Sequence, residues 1–408
     1  MSRPRVVLFV DIFPPSMGGG ATRALCIAQS LSALECDVTV ATTSCTYPVG
    51  KSVLALRSSK ERQNNVEVVR VPSLNLPFKG LLNRILNYLS SSLFLLAMAP
   101  KLKKVDLIFS AGMHPFTDLA AYFVKLINPK SRLVIDISDL FPEMSLFRIV
   151  NHAINKILLW LSDSITVHNE RIKEVLVWRY KYHKKMVVVY NAVDTNVFRP
   201  NYLLRRKKEV LSALCGRPLV NSLVVCYFGV FGSTKGLDNI LRAAAVLQDG
   251  LNDMVFCIIG EGEEKRQLQQ LAFNLKNVFL LPKNPWNYPL PRDKIVQIAT
   301  EADIGLAPLV STDHLVVYVN LPSKAAEFLS SGVPIFAAKG SFVGHLVSER
   351  DAGYEVEFSN IEDICNILRC AYTHRDELAK KSVNARSLAL NVFSLEAVQK
   401  SLMTLIQQ

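Results

Sequence analysis

The sequence predicts an α/β protein made of two doubly wound parallel sheets, and three observations carry that expectation. Short apolar runs recur along the chain with amphipathic stretches between several of them. Strand and helix alternating at this spacing means parallel sheets covered by helices. The pattern breaks near residue 210 and then starts afresh. Both series also open alike, with a strand run, a glycine-rich turn and a helix. At 408 residues, half of them hydrophobic, the chain is long enough for two domains with separate cores.

In the first series, Val6–Val10, Asp37–Ala41, Val66–Val71, Asp106–Ser110, Leu133–Ile137, Ser164–Val167 and Val187–Tyr190 read as strands. Near-continuous apolar runs of this kind suit strands buried on both faces. Thr22–Ala33 and Asp118–Leu126 read as helices between them. Residues 196–220 then carry Pro200, Arg205-Arg206-Lys207-Lys208 and Pro218, a basic break. Leu223–Phe228, Val255–Ile259, Val278–Leu281, Ile304–Ala307 and Pro334–Ala337 form the second strand series. The expected division is a domain over 1–200, a linker over 201–218 and a domain over 219–385. A helical end over 386–408 is expected to pack back across the junction. Ligands in such sheets collect at the carboxyl ends of the strands, so the two sheets are expected to face a cleft that holds the active site.

Charge is uneven. The chain has 47 Lys and Arg against 35 Asp and Glu, and residues 1–200 hold 25 basic against 14 acidic, whereas residues 201–408 hold 22 against 21. A basic first domain faces something anionic, such as a phospholipid surface or a phosphorylated substrate, or is simply a basic soluble domain. No nucleic-acid partner is expected, because the basic residues are scattered and no base-reading motif is present. Ile85–Ala99 is apolar but interrupted by Asn87 and Ser90-Ser91-Ser92, and falls short of the ~20 residues a membrane span needs. Lys79 and Arg84 precede or enter it and Lys101, Lys103 and Lys104 follow it, which fits an interfacial helix or a core helix with a basic exit. Val6–Val10 runs into Asp11 and a Pro-rich turn, unlike a signal-peptide core with its cleavage site. The eight cysteines form no C-x-x-C pair and no zinc spacing, so a reducing, cytoplasmic compartment and no metal are expected.

Four segments carry candidate chemistry. Pro14-Pro15-Ser16-Met17-Gly18-Gly19-Gly20 joins the first strand to the first helix. Its glycines permit close backbone approach, and a helix N-terminus favours an anion or an incoming oxygen. It matches neither the dinucleotide fingerprint nor the P-loop, and a purely structural turn is the alternative. Tyr227 to Asp238, with Gly229, Gly232 and Lys235, opens the second series; there a lysine beside backbone amides suits a diphosphate, the alternative being a solvated turn lysine. Gly260-Glu261-Gly262-Glu263 follows the next strand, where glycines allow a flat ring to lie on the main chain. Pro322-Ser323 starts a helix that sets Lys324 and Glu327 one turn apart. A carboxylate there can hold a ribose diol; a surface ion pair is the plain alternative.

Gly18-Gly19-Gly20, Asn191-Ala192-Val193-Asp194 leading to Phe198-Arg199-Pro200, Lys235-Gly236-Leu237-Asp238, Gly260-Glu261-Gly262, Ala302-Asp303-Ile304 to Pro308-Leu309, and Pro322-Ser323-Lys324 to Glu327 with Gly332-Val333-Pro334 occur in order over nearly the whole chain. Together they resemble the retaining family-4 glycosyltransferases of the GT-B fold, two Rossmann-like domains facing a cleft. Asp139-Leu140-Phe141-Pro142-Glu143 and Pro322-Ser323-Lys324 look closest to the branch that adds N-acetylated amino sugars to lipid-linked O-antigen or capsule precursors.

The resemblance implies roles. Lys235 would hold the donor diphosphate and Glu327 the ribose, with Gly229, Gly232, Gly260, Gly262, Ser323 and Lys324 completing the donor side. Gly18, Gly19, Gly20 and Asp139 would line the sugar and acceptor side, and His114 matches the family histidine that contacts the transferred sugar. It implies a nucleotide-sugar co-substrate, UDP-sugar favoured, no cofactor or metal, and a lipid-linked or saccharide acceptor on the inner face of the cytoplasmic membrane, an anionic surface. In such a transfer the departing phosphate takes the acceptor proton, so catalysis is positioning plus stabilisation of diphosphate charge. The chain departs from the family at three positions. Val319 stands eight residues before Glu327 where a first glutamate is frequent, Val230 and Phe231 stand where a basic residue is common, and Ala192 replaces a usual glycine. These departures leave a non-catalytic scaffold or a nucleotide-sugar epimerase on the same fold as the alternatives to weigh.

Overall fold

The computed structural model describes residues 3–16, 18–44, 58–63, 65–73, 81–111, 115–138, 156–157, 159–282 and 290–407. The chain divides into two units. The first comprises Met1–Ala192 and Leu395–Gln408, the second Val193–Ser394.

The first unit holds strands β1 (Arg5–Val10), β2 (Asp37–Thr43), β3 (Ser59–Gln63), β4 (Val66–Val71), β5 (Leu107–Ala111), β6 (Arg132–Ile137), β7 (Ser164–Val167) and β8 (Lys185–Val188). Their order is β3-β4-β2-β1-β5-β6-β7-β8. Every pair is parallel except β3 with β4. Val6, Leu8 and Val10 of β1 pack with Ile27 and Leu31 of the helix Gly19–Ala33. Val398, Leu402 and Leu405 complete that core from the helix Leu395–Ile406, so the end of the chain belongs to the first unit. A buried charge pair locks the first helix to the sheet. Arg23 donates from Nε and Nη2 to Asp136 at 2.8 and 2.6 Å and from Nη1 to the Val189 carbonyl at 2.7 Å. Thr166 adds a hydroxyl to Asp136 at 2.6 Å. A bidentate pair with its remaining lone pairs satisfied is the form in which a buried ion pair is tolerated.

The second unit holds β9 (Leu223–Val230), β10 (Met254–Glu261), β11 (Val278–Leu281), β12 (Ile304–Ala307), β13 (Ile335–Ala338) and β14 (Gly353–Val356), all parallel, in the order β11-β10-β9-β12-β13-β14. Val225 and Tyr227 of β9 and Phe256 and Ile258 of β10 pack beneath the helices Leu237–Leu247 and Ile361–Thr373.

Residues 201–218, read from the sequence as a basic linker, instead form two helices, Tyr202–Lys207 and Glu209–Cys215, inside the second unit. The basic residues have structural partners. Arg205 donates to the carbonyls of Thr300 and Ser331 at 3.2 and 2.6 Å, and Lys208 pairs with Asp303 at 2.9 Å. Glu301, buried, accepts the N–H groups of Val210 and Leu211 at the head of the second helix. The stretch before it also sits in the second unit, where Arg386 holds the carbonyls of Thr195 and Phe198 at 3.0 and 2.9 Å. Likewise the final segment is not one helix. Arg375–Leu388 and a π turn over Ala389–Phe393 stay with the second unit, and only Leu395 onward joins the first.

Candidate functional site

The second unit builds its site where β9 ends. The chain passes from Gly229 through Phe231 and Gly232 into a tight turn, Ser233–Lys235, and then into the helix Leu237–Leu247. The Lys235 N–H donates to the Gly232 carbonyl at 2.9 Å, and the Val310 N–H reaches the Thr234 carbonyl at 2.7 Å. These bonds fix the backbone from which Lys235 projects. Gly236 takes φ +57°, the left-handed region that glycine enters without strain.

Lys324 comes to the same place from the first turn of the helix Ser323–Ser330. Its ammonium lies 3.7 Å from the centroid of the Tyr227 ring, a cation–π contact. The Tyr227 hydroxyl is in turn held by the Val230 carbonyl at 2.7 Å. Gly229, at φ +144°, leaves the space that Nζ occupies, for a Cβ there would lie 2.6 Å from it. Burial pushes the Lys324 ammonium well below the usual lysine range, and the like charge of Lys235 pushes it the same way, against the pull of Glu327. Two cations thus act on each other at one turn, an arrangement relieved by a bound anion.

Glu327 follows one turn later and is buried. Its partner is Arg292, from the helix Arg292–Glu301, at 2.7 Å, so the plain reading of Lys324 and Glu327 as a surface ion pair gives way to a different pair. The Arg292 guanidinium also lies 4.7 Å from the Phe198 ring centroid. Burial raises the Glu327 carboxyl, while Arg292 and Lys324 draw it down. Gly260 and Gly262 are required by the packing of the chain itself. A Cβ on Gly260 would run into the Gly229 carbonyl, and one on Gly262 into the Phe231 carbonyl, because the ends of β9 and β10 close together there. At Gly232, by contrast, a Cβ would meet nothing within 4 Å.

In the first unit, Gly18, Gly19 and Gly20 are exposed at the head of the helix Gly19–Ala33, just past β1. Gly18 has φ +115°, and Thr22 donates to its carbonyl from both N–H and hydroxyl, at 3.1 and 3.2 Å. Behind this end of the sheet lies Asp118, buried and bonded by the Ser110 hydroxyl at 2.6 Å. Burial pushes its carboxyl up to about 8, with Asp11 and Asp136 adding to the rise against the Ser110 bond. His114 and Asp139 lie outside the described residues. Sequence reasoning missed Arg292 and the ring of Tyr227. Neither sits in a motif with fixed spacing, and each is brought in by the fold from another element.

Two parallel Rossmann-like sheets, the second with a glycine-rich turn and paired lysines, define the GT-B class. Comparison with known proteins carries this further. Residues 17–197 match the family Glycosyltransferase Family 4, and residues 218–387 match Glycosyl transferases group 1. An uncharacterized glycosyltransferase of Methanocaldococcus jannaschii is 21% identical over 292 residues, 68% of this chain and 68% of that one. A chitobiosyldiphosphodolichol beta-mannosyltransferase of Debaryomyces hansenii is 24% identical over 268 residues, 59% of this chain and 53% of that one. HepE of Anabaena, solved in complex with UDP, superposes with a TM-score of 0.70 at 16% identity, covering 99% of both chains. The chain is a glycosyltransferase of the GT-B fold.

Proposed function

We propose that this glycosyltransferase moves a sugar from a nucleoside diphosphate donor, a UDP-sugar, to a lipid-linked saccharide or surface-polysaccharide precursor, retaining the anomeric configuration and using no metal. The meeting of Lys235 and Lys324 at the Gly229 turn carries this reading. A nucleoside diphosphate is the ligand that two adjacent ammonium groups and a helix N-terminus would bind, and the charge that grows on it as the sugar departs is what they would stabilise. HepE of Anabaena, with the same fold, was solved with UDP. The name of the Debaryomyces hansenii relative contains a diphosphodolichol, a lipid-linked acceptor.

In this mechanism Lys235 and Lys324 bind the diphosphate and hold its charge as the glycosidic bond to phosphate breaks. Lys324 takes over from the basic residue absent at Val230. Glu327, held by Arg292, accepts hydrogen bonds from the ribose hydroxyls. The acceptor oxygen attacks the face from which the diphosphate leaves, and its proton passes to the departing phosphate oxygen. Gly18, Gly19 and Gly20 line the acceptor and sugar side, the side to which the family resemblance also assigns His114 and Asp139. The enzyme works on the inner face of the cytoplasmic membrane, with its basic first unit toward the anionic surface.

The test is transfer itself. The purified chain, with chelator present, is given a panel of nucleotide sugars and a membrane-lipid extract, and products are read by mass spectrometry and by NMR of the new anomeric proton. A retained linkage from a UDP-sugar supports the reading. An inverted linkage, or transfer only after metal is restored, rejects the mechanism.

A further inference from the structure

Among the described residues of the second unit, Lys208 and Lys381 are buried and each is held by a carboxylate, Asp303 at 2.9 Å and Asp351. Lys324, half-buried, has no carboxylate partner among those residues, because Glu327, one turn along the same helix, gives its ion pair to Arg292 at 2.7 Å. Lys324 Nζ meets instead the Tyr227 ring, 3.7 Å from its centroid, and the backbone of Gly229, which has no side chain to fill that space. Lys235 adds a like charge. Burial and a neighbouring cation both favour the uncharged amine over the ammonium, and a lysine so placed becomes a nucleophile. The mechanism above uses Lys324 only as a charge and leaves its lone pair unused.

The same turn selects the electrophile. Lys235, at the head of the helix Leu237–Leu247, suits phosphate oxygens. A nucleotide sugar brings phosphate but no activated carbonyl, so it leaves the amine unchanged. A small molecule in which an acyl group is joined to phosphate brings both. Its phosphate is drawn by Lys235 and its carbonyl carbon comes within reach of Nζ, and such proximity makes the transfer effectively intramolecular.

We propose that Lys324 is an acylation site at which a small acyl phosphate transfers its acyl group to Nζ, and that the resulting amide switches the diphosphate site off. Nζ attacks the carbonyl carbon, the N–C bond forms and the C–O bond to phosphate breaks. Inorganic phosphate leaves with the bonding pair and takes the proton that the amine sheds, so no oxidant or reductant is needed. The amide carries no charge, and Lys235 then faces a diphosphate alone. The proposal rests on the reading of this turn as an anion site given under Proposed function, and adds a means of controlling it.

The test is incubation of the full chain with acetyl phosphate. Acetylated lysines are followed over time by peptide mass spectrometry, and UDP affinity and thermal unfolding are measured on the same samples. Lys324 should react at least about tenfold faster than the exposed Lys276 and Lys400. UDP or excess inorganic phosphate should protect it. Lys235→Ala should slow the Lys324 reaction about tenfold, because the group that draws the phosphate is gone. UDP affinity should fall about tenfold as Lys324 is filled, with thermal unfolding unchanged. Lys324→Gln, treated in the same way, should lose no further affinity. Lys324 modified no faster than Lys276 and Lys400 overturns the proposal, as does a Lys235→Ala chain whose Lys324 reacts at the wild-type rate. Full acetylation of Lys324 at unchanged UDP affinity overturns the switch. Rapid acetylation that inorganic phosphate blocks, in a chain that binds no UDP, supports the acylation site and tells instead against the donor reading.

Discussion

The two units place a glycine-rich turn at the same point, after a parallel strand and before a helix, and surround it with opposite chemistry. In the second unit the turn after β9 carries Lys235, whose charge acts on Lys324 seated over the Tyr227 ring. In the first, among the described residues, the cations near the turn after β1 are committed: Arg23 to Asp136, and Arg70 to Glu61 and the Pro14 carbonyl. Carboxyl groups lie behind it instead, Asp11 and Asp118 both buried. One topology thus offers one end suited to a polyanion and another suited to an uncharged, hydroxyl-rich group. The fold supplies the position and the free amides; which ligand is held depends on a few side chains arriving from other elements.

Substitutions at five positions break or sharpen that contrast. Removing Lys235 should have the largest effect. With one cation of the diphosphate site gone, donor turnover should fall by on the order of a hundredfold or more with thermal unfolding unchanged. Unaltered turnover in a folded variant would remove the role given to it. Lys324→Gln should weaken UDP binding by about tenfold, a smaller change because burial and the charge of Lys235 already disfavour the charged form of Lys324. Its lowered pKa also predicts a pH signature. Diphosphate binding favours the protonated amine, so wild-type affinity should fall as pH rises through the lowered pKa of Lys324, and the glutamine variant should lack that component.

Arg292→Ala tests the support of Glu327 and should be read as stability. It leaves a buried carboxyl without its partner, which should cost about 1–2 kcal/mol after allowing for the solvent exposure of the arginine. Arg292→Ala/Glu327→Gln should recover part of that loss in urea unfolding; no recovery would show that the pair is not the source. The remaining effect belongs to the first unit and is read as a slope of stability against pH. The Asp118 carboxyl is raised to about 8 in the folded chain against ~4 when unfolded. The folded state keeps a proton that the unfolded chain releases between those values, so wild-type stability should decline as pH rises from ~4 to about 8 and level off above. Asp118→Asn should flatten that decline, and an unchanged slope would contradict the assignment.

Apolar runs made most of the fold legible. β1, β6, β7, β9, β10 and β12 are short stretches buried on both faces, and a continuous apolar run marks such strands directly. β3 was illegible for the opposite reason. Ser59-Lys60-Glu61-Arg62-Gln63 is a largely exposed edge strand whose place comes from pairing with β4 and from the ion pairs of Lys60 with Glu67 and Glu61 with Arg70. The basic run at 205–208 looked like a linker because its partners, Ser331, Thr300 and Asp303, are distant in sequence. The same limit governs the site. Lys235, Lys324 and Glu327 stood out because each belongs to a short motif, whereas Arg292 became visible only when the fold brought its helix beside Glu327. Gly260 and Gly262 carried a true signal of close approach, and the Gly229 and Phe231 backbone is one group that approaches them.

The central claim is that Lys235 and Lys324 form one diphosphate site. Calorimetric titration of UDP into the wild type, Lys235→Ala, Lys324→Gln and the double variant, with chelator present, tests it most directly. The account predicts that each single change weakens binding and that the double variant loses more than the sum, because in Lys235→Ala the remaining lysine is relieved of its neighbour's repulsion and offsets part of the loss. Equal UDP affinity in the wild type and the folded double variant would place the diphosphate elsewhere and contradict the account.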